Sequence, residues 1–365
     1  MVAEPIRVLD LFAGAGGLTA GFHQADPRMT TVAAVELDPA AAGSFEATFG
    51  PGIVYNGSVS EWLSHAEMPP QVDIVVGGPP CQGFSTLGKR DEEDERNRLW
   101  RDYARVLLRV KPKYFVVENV SAFAKSSQYQ LFVEATGPEG FLRDYAFEHR
   151  VLNAADYGAA QLRRRAVLIG YHRDLEFPGF PAPTHSALPA SGLPAHKTVA
   201  DVLGRVPKNP DRDHVSGTRE FEFGGRVLNG SYSTRDLHWS RSYSPLSLAR
   251  FAAIPAGGNR HDLPAELLAR CWVDHKSGSG DVMGRLHRNR PSVTIRTEFF
   301  KPEKGRYLHP TLDRAITHYE AARLQGFTRG HRFVGSKTAI ARQIGNAVPI
   351  PLGKAIASHL AESFR

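Results

Sequence analysis

The sequence predicts an α/β fold: a doubly wound, mostly parallel sheet joined to a second, smaller, loop-rich domain. Three observations carry that expectation. Over roughly the first 170 residues, short and nearly continuous apolar runs alternate with helical patterns, as strands covered on both faces require. The first of these runs ends directly in a glycine-rich turn. From about Phe177 the alternation gives way to proline and small residues with no sustained period. A chain of 365 residues suits two domains, at roughly 100–200 residues each. Its 42% hydrophobic and 23% charged content supplies a core and excludes a globally disordered chain.

RVLDLFA (7–13) is the first strand candidate, and GLTAGFHQA after it has helical spacing. TTVAAVEL (30–37) is the next strand, and PAAAGSFEATF behind it opens with proline, a favoured first helical residue. QVDIVVGG (71–78), YFVVENV (114–120), YAFEHRVLNA (145–154) and RAVLIGY (165–171) are further β-rich runs. LWRDYARVLLRV (99–110) is an amphipathic helix between two of them. PGFPAPTHSALPASGLPAHK reads as a linker or irregular loop, and few clean periods follow up to about residue 313. IPLGKAIASHLAESF, near the end, is again an amphipathic helix. The expected divisions are 1–175, 176–330, and a C-terminal segment 331–365 that returns to the first domain.

No run approaches the ~18–20 unbroken apolar residues of a membrane span. The opening MVAEPIRVLDLF lacks the basic stretch and cleavage site of a secretion signal, so a cytoplasmic location is expected. The two cysteines, Cys81 and Cys271, exclude a disulfide framework and a cysteine-based zinc site, and no metal is expected. A net charge of +7 permits nucleic acid as a partner without requiring it. Between Tyr171 and Asp313 there are 20 Lys/Arg against 15 Asp/Glu, a net +5, so most of the basic excess sits in the second region. Nine of the 15 histidines sit there too.

Two segments point to chemistry. DLFAGAGGLTAGF (10–22) joins a strand, a glycine turn and a helix start. Glycines let a backbone pass close to a ligand, and the helix start favours an anionic group. Glu36, 20 residues past Gly16, stands where an acid commonly holds a ribose diol. Thr19 stands where a dinucleotide fingerprint needs its third glycine, which points to a different adenosine cofactor; a tight turn without a ligand is the alternative. GGPPCQGFS (77–85) follows an apolar strand, and its two prolines hold Cys81 at the carboxyl edge of the sheet, where open α/β sheets bind ligands. A thiol there is a candidate nucleophile. Cys271, in PAELLARCW, reads as a packing residue on an amphipathic run.

FAGAGG, GGPPCQGFS, ENV (118–120), QLRRRAVLIG (161–170), RAITHYEAARLQGF (314–327) and QIGNAVP (343–349) stand in one chain in that order. Together they closely resemble the DNA cytosine methyltransferases that act on carbon 5, in the short bacterial restriction–modification form. The resemblance covers both ends of the chain and leaves about 171–290 without a motif. It implies a Rossmann-like methyltransferase sheet with a target-recognition domain, S-adenosylmethionine as cofactor, S-adenosylhomocysteine as product and double-stranded DNA as substrate. Cys81 would add to carbon 6 of a flipped-out cytosine, and Glu118 would donate to ring nitrogen 3. Arg165 would bind the 2-keto oxygen, and Arg163 would steady the catalytic loop or a phosphate. Phe12, Gly14 and Gly16 would line the cofactor, Glu36 hold its ribose and Leu37 pack its adenine. Pro80 and Leu99 would border the methyl region, while Asn346 and Ala347 close the pocket.

Gln82, Ser85, Arg98 and Gln161 are expected on the DNA, with Gln82–Arg98 as a loop closing over it. Gln161, Arg163 and Arg165 should share one strand face and Arg164 the other. Many relatives place an aspartate against the adenine amino group where this chain has Ser58, and proline where it has Ala160. In the middle region Arg235, Arg241, Arg285 and Arg288 are candidates to read guanine edges. Trp239 and Trp272 read as core, and DVMGRLHRNRPSVTIRT (281–297) is expected in the sheet of the small domain. A monomer is expected, with a cognate restriction endonuclease as the partner such systems imply. Two readings compete. One is an RNA-directed relative acting on tRNA, against which the substantial middle region argues. The other is a DNA-binding protein with a dead site, against which intact Cys81, Glu118 and Arg165 argue. An amino-group methyltransferase would typically place Asp, Asn or Ser before the two prolines, where this chain has Gly78.

Overall fold

The computed structural model describes residues 4–80, 95–188, 191–210, 219–273 and 281–365. Strands β1 (Ile6–Leu11), β2 (Met29–Glu36), β3 (Val54–Asn56), β4 (Ile74–Gly77), β5 (Tyr114–Val120), β6 (Tyr145–Asn153) and β7 (Arg164–His172) form one sheet. Their order is β3-β2-β1-β4-β5-β7-β6. The first five run parallel, and β7 is antiparallel to both β5 and β6. The turnabout has a simple cause. Only residues 154–163 separate β6 from β7, and they form a short 3-10 turn and extended chain rather than the helical crossover a parallel pair needs.

Helices α1 (Gly17–Ala25), α2 (Pro39–Phe49), α3 (Val59–His65), α4 (Glu95–Val110) and α5 (Ser127–Thr136) connect these strands. The second region carries α6 (Val199–Leu203), the hairpin β8 (Glu220–Phe223) and β9 (Arg226–Asn229), β10 (Tyr232–Ser233), α7 (Pro245–Ala253) and α8 (Arg270–Val273). Then come α9 (His318–Gln325), β11 (Arg332–Phe333), α10 (Lys337–Asn346) and α11 (Ile350–Glu362). The stretch 281–297 forms no strand: it makes only isolated bridges, Arg285 to Leu308 and Ser292 to Gln161, which corrects the expectation of a sheet there.

Side chains alternate across the sheet as strand geometry dictates. Ile6, Val8, Ile74, Val76, Val116 and Ile169 face Leu18 and Phe22 of α1 and Leu352, Ile356 and Leu360 of α11. Leu9, Leu11, Val75, Phe115, Val117 and Leu168 face Trp62 of α3, Trp100, Tyr103 and Leu107 of α4, and Phe132 of α5. The C-terminal helix therefore completes the first face. It lies so close to α1 that a Cβ on Gly21 would stand 2.7 Å from the Lys354 nitrogen. A further core gathers Tyr232, Trp239, Ile295, Phe299, Tyr307, Phe327, Phe333 and Ile344 and reaches Ala15 in the glycine turn. Trp239 is buried in it, and Trp272 packs beside Phe251 and Ile254 in a smaller cluster.

Candidate active site

The strand order reverses between β1 and β4, so the turns leaving these two strands flank the crevice where open α/β sheets bind ligands. The first turn runs through Phe12, Gly14 and Gly16, all left-handed, with φ of 56°, 57° and 79°. The Ala13 N–H donates to the Val35 carbonyl (3.1 Å) and the Gly14 N–H to Glu36 Oε2 (2.8 Å). Glu36 Oε1 accepts the Asp38 N–H at 2.7 Å, and burial pushes the carboxyl's pKa up. Asn56 Nδ2 donates to the carbonyls of Glu36 (3.0 Å) and Leu37 (3.1 Å), which fixes that peptide while the Leu37 side chain stands 67% exposed. A Cβ on Gly14 would meet nothing within 4 Å, so this side of the turn is open.

Beneath the turn lies a group that sequence reasoning missed. Asp10 is buried on the α1 face of β1 and accepts the Thr19 hydroxyl at 2.6 Å. Burial pushes its carboxyl up to about 7. Thr19 is thus more than a missing glycine, because it is the hydrogen-bond partner of this acid. An aspartate inside the apolar run RVLDLFA was the available clue.

Ser58 is committed to α3. Its hydroxyl accepts the Glu61 N–H (3.1 Å) and donates to Glu61 Oε2 (2.8 Å), a capping box. At the start of α1, a Cβ on Gly17 would stand 3.1 Å from the Ala347 Cβ, so the last motif closes on the first. Asn346 and Pro80 are exposed, and Leu99 is half-buried on α4.

The second turn is Gly78–Pro79–Pro80, leaving β4 toward Cys81. Asn119 Nδ2 donates to the Pro79 carbonyl at 3.1 Å and its Oδ1 accepts the Val120 N–H at 2.8 Å, so the turn is tied to β5. In register, Glu118 faces Val167 and Val120 faces Arg165, which makes Glu118 and Arg165 diagonal neighbours. Arg165 Nε lies 2.8 Å from Glu118 Oε1, an ion pair rather than an aligned hydrogen bond. A Cβ on Gly78 would stand 3.3 Å from Glu118 Oε2, so the carboxylate abuts the turn.

Residues 161–165 alternate as expected, with Gln161 and Arg163 buried and Leu162 and Arg164 exposed, but the strand itself starts at Arg164. Two expectations change here. Gln161 is fully buried: its Nε2 donates to Gln325 Oε1 and its Oε1 accepts the Ile295 N–H, both at 2.8 Å, so its amide faces protein and not DNA. Arg163 faces no open phosphate site. Its guanidinium donates to the carbonyls of Ile295 (3.0 Å), Gly345 (2.9 Å) and Asn346 (3.4 Å), and burial lowers its pKa to about 9. It therefore pins the residues around Asn346.

Cys81, Gln82 and Ser85 lie outside the described residues, as does the Cys271 side chain. Arg98, expected in a loop, stands exposed on the first turns of α4. Among the middle-region candidates Arg235, Arg241 and Arg288 are exposed. Arg285 is buried and donates to the Phe251, Ile254, His309 and Leu312 carbonyls and to Asp313, which corrects its assignment as a base reader. No cluster of His, Cys, Asp and Glu suited to a metal occurs among the described residues, and no described helix is long and apolar enough to cross a membrane.

A family model described as C-5 cytosine-specific DNA methylase matches residues 6–362. The chain is 33% identical to the Type II methyltransferase M.XorII of Xanthomonas oryzae pv. oryzae, over all of this chain and 86% of that protein. It is 34% identical to the Type II methyltransferase M1.HphI of Haemophilus parahaemolyticus, over 96% of this chain and 86% of that one. Among solved structures, a DNA modification methyltransferase encoded within an E. coli prophage matches with a TM-score of 0.69 at 25% identity, over 98% of this chain and 99% of that chain.

Proposed function

The chain belongs to the C-5 cytosine-specific DNA methylase family and is a DNA cytosine-5 methyltransferase, and from that premise we propose how its residues carry the reaction. The methyl group comes from S-adenosylmethionine and goes to carbon 5 of a cytosine turned out of a short, specific duplex sequence. The observation that carries this reading is the Glu118–Arg165 pair, 2.8 Å apart, beside the turn that leads into Cys81.

Cytosine presents ring nitrogen 3 and the 2-keto oxygen, two acceptors, on one edge. A protonated Glu118 donates to the nitrogen and Arg165 to the oxygen, replacing their contact with each other. Both bonds draw electrons from the ring, so the Cys81 thiolate can add at carbon 6. Carbon 5 is then enamine-like and nucleophilic. Bound S-adenosylmethionine supplies the electrophilic methyl sulfonium it needs. Water or hydroxide takes the carbon 5 proton, the 5,6 double bond re-forms, and Cys81 leaves as thiolate. A base inside a duplex is out of reach of this attack, so the target must be flipped out, at a cost of a few kcal/mol.

The residues present fit S-adenosylmethionine. Each oxygen of Glu36 accepts one backbone N–H and keeps a lone pair for the ribose diol. Exposed Leu37 offers an apolar face to adenine, and the open side of Gly14 leaves room for the methionine portion. Phe12, Gly16, Pro80, Leu99, Asn346 and Ala347 complete the lining, while Ser58 is held by α3. Gln82, Ser85 and Arg98 are the proposed DNA contacts near the site, and the basic excess of the middle region serves phosphates. Residues 1–175 and 331–365 form the catalytic part and 176–330 the target-recognition part. The Type II names of its relatives support a restriction–modification setting, and within that reading the chain works on DNA in the cytoplasm as a monomer with a cognate endonuclease beside it.

Duplexes carrying 5-fluorocytosine test the mechanism, because fluorine does not leave as the proton does. With S-adenosylmethionine present, a denaturation-resistant protein–DNA adduct is expected, and none with Cys81→Ala. A methylating preparation that forms no adduct overturns the covalent route.

A further inference from the structure

We propose that Gln325 is a positioning residue for cofactor binding: with Gln161 it forms a buried amide relay that caps the C-terminal end of α10 and sets Ala347 against the glycine turn. The inference rests on reading Asn346 and Ala347 as the closing side of the S-adenosylmethionine pocket.

The need for a cap follows from helix geometry. The last four carbonyls of an α-helix have no partner within it. In α10 these belong to Gln343, Ile344, Gly345 and Asn346. No left-handed glycine follows to satisfy them, because position 347 is an alanine with φ of −58° and ψ of 142°. The Ala347 N–H donates to the Gln343 carbonyl at 3.2 Å. The other three carbonyls face buried side chains. Gln325 Nε2 donates to the Ile344 carbonyl at 2.6 Å and reaches the Ala347 carbonyl at 3.5 Å. Arg163 takes the Gly345 and Asn346 carbonyls.

The relay has one polarity. The Ile295 N–H can only donate, so Gln161 turns its oxygen there, at 2.8 Å. The Gln161 NH2 group then faces Gln325 and needs an oxygen, which stands 2.8 Å away. That orientation leaves the Gln325 NH2 group for the Ile344 carbonyl. Two amides in series thus join a backbone donor of the second region to a backbone acceptor at the end of α10. Both glutamines are fully buried, where water does not replace a lost partner. The chain they hold has little slack. A Cβ on Gly345 would stand 2.5 Å from the Thr297 nitrogen, and one on Gly17 would stand 3.1 Å from the Ala347 Cβ. The end of α10 is therefore packed between the 295–297 segment and the start of α1, and a shift of Ala347 is felt at the glycine turn.

Calorimetry with S-adenosylmethionine on the full chain, Gln325→Leu, Gln161→Leu and the double variant tests this. Leucine keeps most of the bulk and removes the amide. Gln325→Leu should bind the cofactor about tenfold more weakly, the equivalent of one neutral hydrogen bond, while its affinity for duplex DNA without cofactor stays within about twofold. In turnover its KM for S-adenosylmethionine should rise by a similar factor, with kcat at saturating cofactor within about twofold of wild type. Gln161→Leu should cost about threefold, and the double variant no more than Gln325→Leu alone, because Gln161 acts through Gln325. Wild-type cofactor affinity in Gln325→Leu, equal losses toward cofactor and DNA, or losses that multiply in the double variant would each overturn the proposal. Should Gln325→Leu fail to fold, Gln161→Leu decides: a loss confined to the cofactor supports the relay, and unchanged affinity overturns it. If the wild-type chain binds no S-adenosylmethionine, the cofactor reading fails by itself. Amide exchange at Asn346 and Ala347 then decides the cap: faster exchange in Gln325→Leu supports it, and unchanged exchange overturns it.

Discussion

Replacing Glu36 with glutamine should damage cofactor binding nearly as much as replacing it with alanine. Both carboxylate oxygens already face backbone donors, Gly14 N–H at 2.8 Å and Asp38 N–H at 2.7 Å. Whichever way a glutamine amide sits, its NH2 group meets one of these N–H groups. One bond is then lost, and the other becomes a neutral one. A hydrogen bond to a charged group contributes about 1.5–3 kcal/mol, against about 0.5–1.5 kcal/mol for a neutral one. Removing the charge also relieves the burial that pushes the Glu36 carboxyl up, which offsets part of the loss. With the ribose contact weakened as well, the net effect is about 3 kcal/mol, or roughly a hundredfold in affinity. Titration calorimetry with S-adenosylhomocysteine measures it, with duplex binding as the control. A glutamine variant that binds like wild type would refute both the ribose role and the double-acceptor geometry.

Cys81→Ala should abolish methyl transfer and leave S-adenosylmethionine affinity nearly intact; turnover above a few per cent of wild type would remove the thiolate from the mechanism. Burial lowers His309 to about 4 and His318 to about 3, so each contributes stability that is present above its unfolded value and lost as pH falls from about 6.5 toward 4. At about pH 5 each costs about 2 kcal/mol, so the urea midpoint should drop less on acidification in His318→Asn than in wild type. Parallel drops would contradict that origin. Asp10 has the opposite sign: with its pKa raised to about 7, its stability contribution is present at low pH and lost as pH rises from about 4 through 7. Asp10→Asn keeps an acceptor for Thr19 and should gain on wild type at about pH 8 relative to about pH 5, by up to about 2.5 kcal/mol. Thermal melts with the same difference at both pH values would count against it.

Much of the fold was legible because the central strands β1, β4 and β5 are buried on both faces. Its strands read as apolar runs, and α1 and α2 matched their expected spans. The three-residue β3 and the seven-residue α3 are too short for periodicity to reveal. The direction of β7 depends on the length of its connection, not on any residue pattern. In the site, Glu118 and Arg165 were found from motifs, and the sheet register explains why they meet. Gln161 and Arg285 misled because polarity suggested exposure. Each is buried because specific carbonyls or a second amide satisfy it, and such partners are distant in sequence. Among the histidines in the middle of the chain, His238 and His309 lie in the core.

Bisulfite sequencing tests the central claim most directly. A mixed-sequence plasmid is incubated with the protein and S-adenosylmethionine, with Cys81→Ala as control. Protected cytosines should recur in one short sequence context with wild type and vanish with the variant. Uniform conversion by a preparation shown to bind the cofactor would contradict the assignment of DNA cytosine as the methyl acceptor.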